Sequence, residues 1–145
     1  MAMADTTTGM PAEVLAQMIS VNVPRAWLLN ANVKRHWRDR GKRAAWLRAA
    51  AQLEALAFRR RLAGGTPLQG KVRCEVLVAW PDRRRRDVHN VMPTVKPCID
   101  GIVDARVLAD DSDKHLIGPD LRVTDQLCDR DYACTLTFLF TEVPA

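Results

Sequence analysis

Between Val72 and Ser112 the chain reads VRCEVLVAWPDRRRRDVHNVMPTVKPCIDGIVDARVLADDS. Val72, Cys74, Val76, Val78 and Trp80 alternate with Arg73, Glu75, Leu77 and Ala79. A period of two is the mark of a strand. The second set is itself partly apolar, so the spacing predicts a central strand. Pro81 ends it, because proline cannot donate to a ladder. Asp82 to Asn90 then lies at the strand's C-terminal mouth, where α/β folds carry their chemistry. A helix is predicted from about Thr94 to Asp104, with Val95, Ile99, Ile102 and Val103 facing the core. Pro97 fits only a first helical turn and is expected to push Lys96 out of helical geometry.

Working outward, Ile19, Val21 and Val23 alternate with Ser20 and Asn22 in a short strand stopped by Pro24. Arg25 to Asn32 reads as loop. From about Lys34 to Leu62 the chain reads as a helix. Trp46, Ala49/Ala50, Leu53 and Leu56/Ala57 recur at three- and four-residue steps and predict its core stripe, and Gly64-Gly65 before Pro67 is a strong stop. Lys114 to Ile117 predicts a short strand, Leu121 to Leu127 a ragged one, and Tyr132 to Phe140 alternates as a last strand. The order predicts an α/β (α+β) two-layer domain: a mixed β-sheet with both helices on one face. Residues 1–17, small, polar and unpatterned, are expected to be a flexible tail, leaving 18–145 as a single domain.

The chain has 145 residues, room for one domain with a real core. No apolar run approaches the roughly 20 residues that span a bilayer, and no secretory leader is recognisable. The four cysteines lack C-x-x-C spacing, which predicts reduced thiols, no structural zinc and a cytoplasmic setting. The net charge is +5 but unevenly spread: Lys34 to Arg86 holds sixteen basic and four acidic residues. Seventeen arginines against five lysines favours phosphate contact over mere solubility, since the guanidinium fork matches phosphate geometry. A solvated basic helix face is the competing reading. His36 and Trp37, among these cations, could stack on an unpaired base or cover the sheet edge; the second is expected.

Arg83, Arg84, Arg85 and Arg86 abut Asp87, His89 and Asn90; Lys96 follows, then the pair Asp110–Asp111. Carboxylates that hold a hard cation, a lysine that offsets developing charge and arginines that grip a polyanion are the parts of a metal-assisted phosphoryl-transfer site. If the four arginines are extended they alternate, two towards a polyanion and two towards the protein's own carboxylates. Each residue also has a plain structural alternative. Asp87 could be a salt-bridged loop aspartate, Asp110–Asp111 a solvated pair, and Lys96 the partner of Asp100 in an i,i+4 ion pair. His89 could be a metal ligand, a phosphate or water contact, or purely structural.

As a set these residues resemble the RusA-type Holliday junction resolvases, whose pattern runs P-D-x-R-R-x-D-x-D-N, a helical lysine, D-A-L or D-G-L, then a D-D pair. The likeness is specific from Pro81 to Asp111, and Asn30 and Asn32 loosely match the family's asparagine-rich segment. It implies a metal-dependent endonuclease with Asp87 and Asp111 as metal ligands, Asp110 as helper and Lys96 as catalytic lysine. Lys96 comes nine residues after Asp87, three beyond the family interval, and fits if Val91-Met92-Pro93 is absorbed in a loop. His89 stands where the family has a second carboxylate, which favours Mn²⁺ beside Mg²⁺. Lys34, Arg35, Arg38, the four arginines and Asn90 would contact DNA. The resemblance further implies four-way junctions as substrate, a homodimer, 5′-phosphate products and a phage or prophage origin. Two rivals remain: a non-catalytic branched-DNA-binding module, and a generic nuclease or RNA-binding protein without junction preference.

Overall fold

The computed structural model describes residues 18–61, 68 and 70–143. The expected tail and the Gly64-Gly65 stop lie outside the described residues. Four strands, β1 (Met18–Pro24), β2 (Val72–Ala79), β3 (Leu116–Val123) and β4 (Tyr132–Glu142), form one mixed sheet in the order β1-β4-β2-β3. β4 is antiparallel to both β1 and β2, whereas β2 and β3 are parallel. That parallel pair needs a crossover, which α2 (Met92–Asp104) supplies; α1 (Trp37–Arg61) joins β1 to β2. The last strand is thus inserted at the centre, and β2 is internal as its two-sided apolar pattern requires.

The sheet is covered on one face. Ile19, Val21 and Val23 of β1, Val72, Cys74, Val76 and Val78 of β2, and Leu136, Phe138 and Phe140 of β4 join α1 and α2 in one buried core. The architecture is therefore the two-layer α+β arrangement expected, with both helices on this face. No helix among the described residues is long and apolar enough to cross a membrane. All four cysteines are free. Burial pushes the thiols of Cys74, Cys98 and Cys134 up to about 12, so they pack as small hydrophobes.

Three local expectations need correction. The face of α1 is the first: Leu47, Ala51, Ala55 and Phe58 are buried, whereas Leu53 is 69% exposed and Leu56 and Ala57 face solvent. The reason is the close approach of α2. A Cβ on Gly101 would lie 2.1 Å from the backbone oxygen of Arg48, so the face that meets α2 and the sheet runs through Leu47, Ala51, Ala55 and Phe58, the same three- and four-residue steps in a different phase. The second is β3, which is one strand where two fragments were expected. Ile117 and Asp120 pair with Arg73 and Glu75, so β3 carries one extra residue there. Gly118, at φ 101°, accommodates that bulge against the backbone oxygen of Cys74.

The third is α2. A 3-10 turn over Val88–Val91 runs straight into it, so Val91-Met92-Pro93 is taken up in helix and not in a loop. Pro97 lies inside the helix, and Lys96 is helical. An interior proline costs about 3 kcal/mol or more. Here Val95, Pro97, Cys98, Ile99 and Ile102 are all buried, and burial of a Val or Ile side chain stabilises by roughly 1.5–3 kcal/mol. Core packing therefore outweighs the lost bond.

Candidate nucleic-acid and metal site

Beyond β2, Trp80 and Pro81 remain buried, and Asp82 shapes the arginine run that succeeds it. Its Oδ1 accepts from the Arg84 backbone N–H at 3.0 Å, an Asx-type turn, and its Oδ2 from the Arg84 guanidinium at 3.1 Å. The same carboxylate pairs with Arg86 at 2.8 Å. Arg86 and Arg84 hold the Asp82 carboxyl well below the usual carboxylate range. Arg86 also donates to the carbonyls of Asp82 and Arg84 and lies 4.8 Å from the Trp80 ring centroid. Arg84 and Arg86 are thus the two arginines that face the protein's own carboxylate. Arg83 and Arg85 are exposed and have no ion-pair partner among the described residues.

Asp87 begins the 3-10 turn and caps it: its Oδ1 accepts from His89 N–H at 3.0 Å. The His89 imidazole Nδ1 lies 3.4 Å from that same oxygen, and both side chains are largely exposed. Asp87 therefore already has a structural role, with Oδ2 left without a partner among the described residues. Asn90 turns its carbonyl to Ala31 N–H at 2.8 Å, tying the loop before α1 to this turn. The result is an open cavity of about 840 Å³. Arg84, Arg85, Arg86, Asp87 and Asn90 line one side, and Arg25, Asn30 and Asn32 the other. Arg25 was missed by sequence reasoning, because nothing local marks a loop residue that reaches the site only through the fold.

A second cluster sits on α2. The Lys96 ammonium bonds Asp111 and also Asp100, the latter at 3.3 Å. Asp110 Oδ1 accepts from Asp111 N–H at 2.8 Å, which fixes the turn. The hydrogen bond with Asp111 raises Lys96 above its ordinary value, and the same bond lowers Asp111. Lys96 and Asp111, expected to act together, are brought together. The i,i+4 partnership with Asp100 is also present. Among the described residues no hydrogen bond or ion pair joins this cluster to Asp87 and His89. Among the described residues no three His, Cys, Asp or Glu side chains stand together as a group that could hold a metal ion.

Lys34, Arg35 and Arg38 cluster at the start of α1. Arg35 and Arg43 both engage Asp39, at 3.3 and 3.0 Å, so Arg35 is tied into the helix. Lys34 is exposed and has no ion-pair partner among the described residues, and the Arg38 guanidinium lies 5.1 Å from the Trp37 ring centroid. Trp37 does not cover the sheet edge as expected: it is 63% exposed.

A divalent cation can be tested against these donors. Carboxylate oxygens suit Mg²⁺, and adding imidazole suits Mn²⁺. The Asp87–His89 pair and the Asp110–Asp111 pair therefore fit by chemistry, in two separate halves. Among known proteins, no protein-family model and no curated protein matches this chain.

Proposed function

We propose that the chain is a metal-dependent endonuclease that cuts branched DNA, with four-way junctions as the preferred substrate. The observation that carries this reading is the cationic cavity at the end of β2. It sets Arg84, Arg85, Arg86, Arg25 and three asparagines around Asp87. Arginines and amides there bind and orient a phosphodiester, with Arg85 unpaired at its wall and Arg83 left to take a phosphate outside it. Asp87, His89 and Asp111 would hold Mg²⁺ or Mn²⁺, with Asp110 fixing the Asp111 turn. Such an ion, when bound, lowers the pKa of a water for in-line attack on phosphorus. Lys96, now on Asp111 and Asp100, is the cation placed to offset charge at the leaving oxygen. Resolving a junction takes two symmetric nicks, so a two-fold homodimer belongs to this reading. A cytoplasmic setting accords with four free thiols.

One observation favours a second reading, a branched-DNA-binding module without catalysis. The two halves of the ligand set are not gathered, and Lys96 already neutralises Asp111. The deciding experiment measures binding and initial nicking of a synthetic four-way junction, a duplex and a single strand, with Mg²⁺, with Mn²⁺ and with chelator. Metal-dependent nicking of the junction, lost in Asp87→Asn and Asp111→Asn while binding persists, supports the enzyme. Tight junction binding with no nicking in either metal selects the second reading.

A further inference from the structure

Four tryptophans are present, and three are used internally. Trp27 and Trp46 stack on each other with centroids 5.5 Å apart and planes 5° off parallel. Trp80 is 8% exposed and lies beneath Arg86. Trp37 alone presents its indole to solvent, and the local structure holds it there. His36 caps α1: its Nδ1 accepts from Arg38 N–H at 3.1 Å, and its carbonyl accepts the first helical bond from Arg40 N–H. That bond fixes the imidazole, which stacks on Trp37 with centroids 5.6 Å apart. The indole is thus positioned by a capped helix end and not by a mobile loop.

Its surroundings select the ligand. Lys34, Arg38, Arg40 and Lys42 have no ion-pair partner among the described residues, whereas the nearby acid, Asp39, is neutralised by Arg35 and Arg43. An exposed flat ring in a field of uncompensated cations suits a planar ring carried on a polyanion. An apolar protein partner would instead need a contiguous apolar patch. Trp37 also lies five residues after Asn32, and Asn32 lines the cationic cavity. Ala31 N–H is bonded to Asn90, and Arg43 to the Leu28 carbonyl at 3.0 Å, so the start of α1 is tied to the cavity's rim.

We propose that Trp37, held by His36 and with the Arg38 guanidinium over its ring ready to swing aside onto a phosphate, is a stacking platform for an unpaired nucleobase next to the phosphates that the cavity binds. The platform rests on the DNA reading and adds to it a means of telling branched or single-stranded DNA from duplex. Paired bases hide their faces in the stack, and only an unpaired base offers one to the indole.

The test uses the full chain in chelator, so that nicking plays no part, with two duplexes that differ only by one bulged 2-aminopurine. The parent is expected to bind the bulged duplex about tenfold more tightly than the perfect one, within the range for one base–aromatic stack, and to quench the 2-aminopurine. Trp37→Leu should lose both preference and quenching yet bind perfect duplex like the parent, and Trp37→Phe should recover most of both. Thermal melts of each variant check folding. If Trp37→Leu keeps the preference and the quenching, the platform is wrong while the DNA reading stands. If the parent binds neither duplex, the DNA reading fails and the platform with it.

Discussion

Thr94 closes a two-way hydrogen bond with the backbone of Leu29. Its Oγ1 accepts from Leu29 N–H at 2.9 Å and donates to the Leu29 carbonyl at 2.6 Å, both bonds buried. Thr94 is the one buried polar or charged residue among the described residues. A threonine in the first turn of α2 thereby takes the place of a strand ladder for a loop residue 65 positions away. This clamp holds the Asn30–Asn32 loop beside Asn90, and so one wall of the cavity to the other.

Thr94→Val keeps the shape of the side chain and removes both bonds, leaving a buried donor and acceptor unsatisfied. Such a loss costs about 1–3 kcal/mol. Urea unfolding is expected to show a lower midpoint with an unchanged slope. A midpoint equal to the parent's would mean that water satisfies Leu29 as well as the hydroxyl does.

Gly101→Ala places a methyl 2.1 Å from the Arg48 backbone oxygen, where no flexible side chain can yield. The helices must separate, and overpacking of this kind costs about 1–3 kcal/mol, more when backbone is the obstacle. Heat or urea should unfold this variant markedly earlier than Gly41→Ala, where the added Cβ meets nothing within 4 Å. Equal stabilities would show that the helix pair is looser than its geometry.

The arginine run should divide by function. Arg83→Ala with Arg85→Ala removes two uncompensated cations and should reduce the slope of log affinity against log salt by about 0.9 per lost phosphate contact, with stability unchanged. Arg86→Ala removes the pair with Asp82 and the cover of Trp80, so it should lower stability as well as affinity. A salt slope untouched by the double substitution would show that Arg83 and Arg85 face away from DNA.

Acid should weaken the fold in a defined window. Asp82, Asp104 and Asp111 are held below their ordinary 3.8 by hydrogen bonds from Arg86, Arg48 and Lys96 respectively. A depressed folded pKa contributes stability that is whole above the unfolded value and is lost as pH falls through the folded one. Unfolding midpoints should therefore hold steady above about pH 5 and decline below 3.8, less steeply in Asp82→Asn. A midpoint that falls between about pH 7 and about pH 5 would point to other groups.

His89 separates carboxylate from mixed ligation. If its imidazole binds the ion, His89→Asp should tighten Mg²⁺, and His89→Ala should weaken both Mg²⁺ and Mn²⁺. Titration calorimetry with each metal reads this without any nuclease assay. Unaltered affinities in His89→Ala would make the imidazole a bystander that merely packs against Asp87.

Much of the fold is local and was legible in the chain. Strand alternation over Ile19–Val23, Val72–Ala79 and Tyr132–Phe140 needs only a pleated backbone and one buried face, and it located three strands. The clustering of Arg83 to Asp87 at the end of β2 was equally plain, because Pro81 stops a strand wherever it stands. What remained hidden depends on partners distant in sequence. Leu53 looks like core and Ala51 does not, until the close approach of α2 at Gly101 shows that the buried face runs through Leu47, Ala51, Ala55 and Phe58. Lys96 was expected outside helical geometry, and it is helical because α2, despite Pro97, is stabilised by a core that includes β4. Asp87 and Asp111, written as one set, belong to no group of three metal-ligating side chains among the described residues, and no periodicity could have fixed the spacing of two segments that lie on either side of α2. Periodicity reports which atoms must leave water; the distance between two side chains on different elements is set by packing.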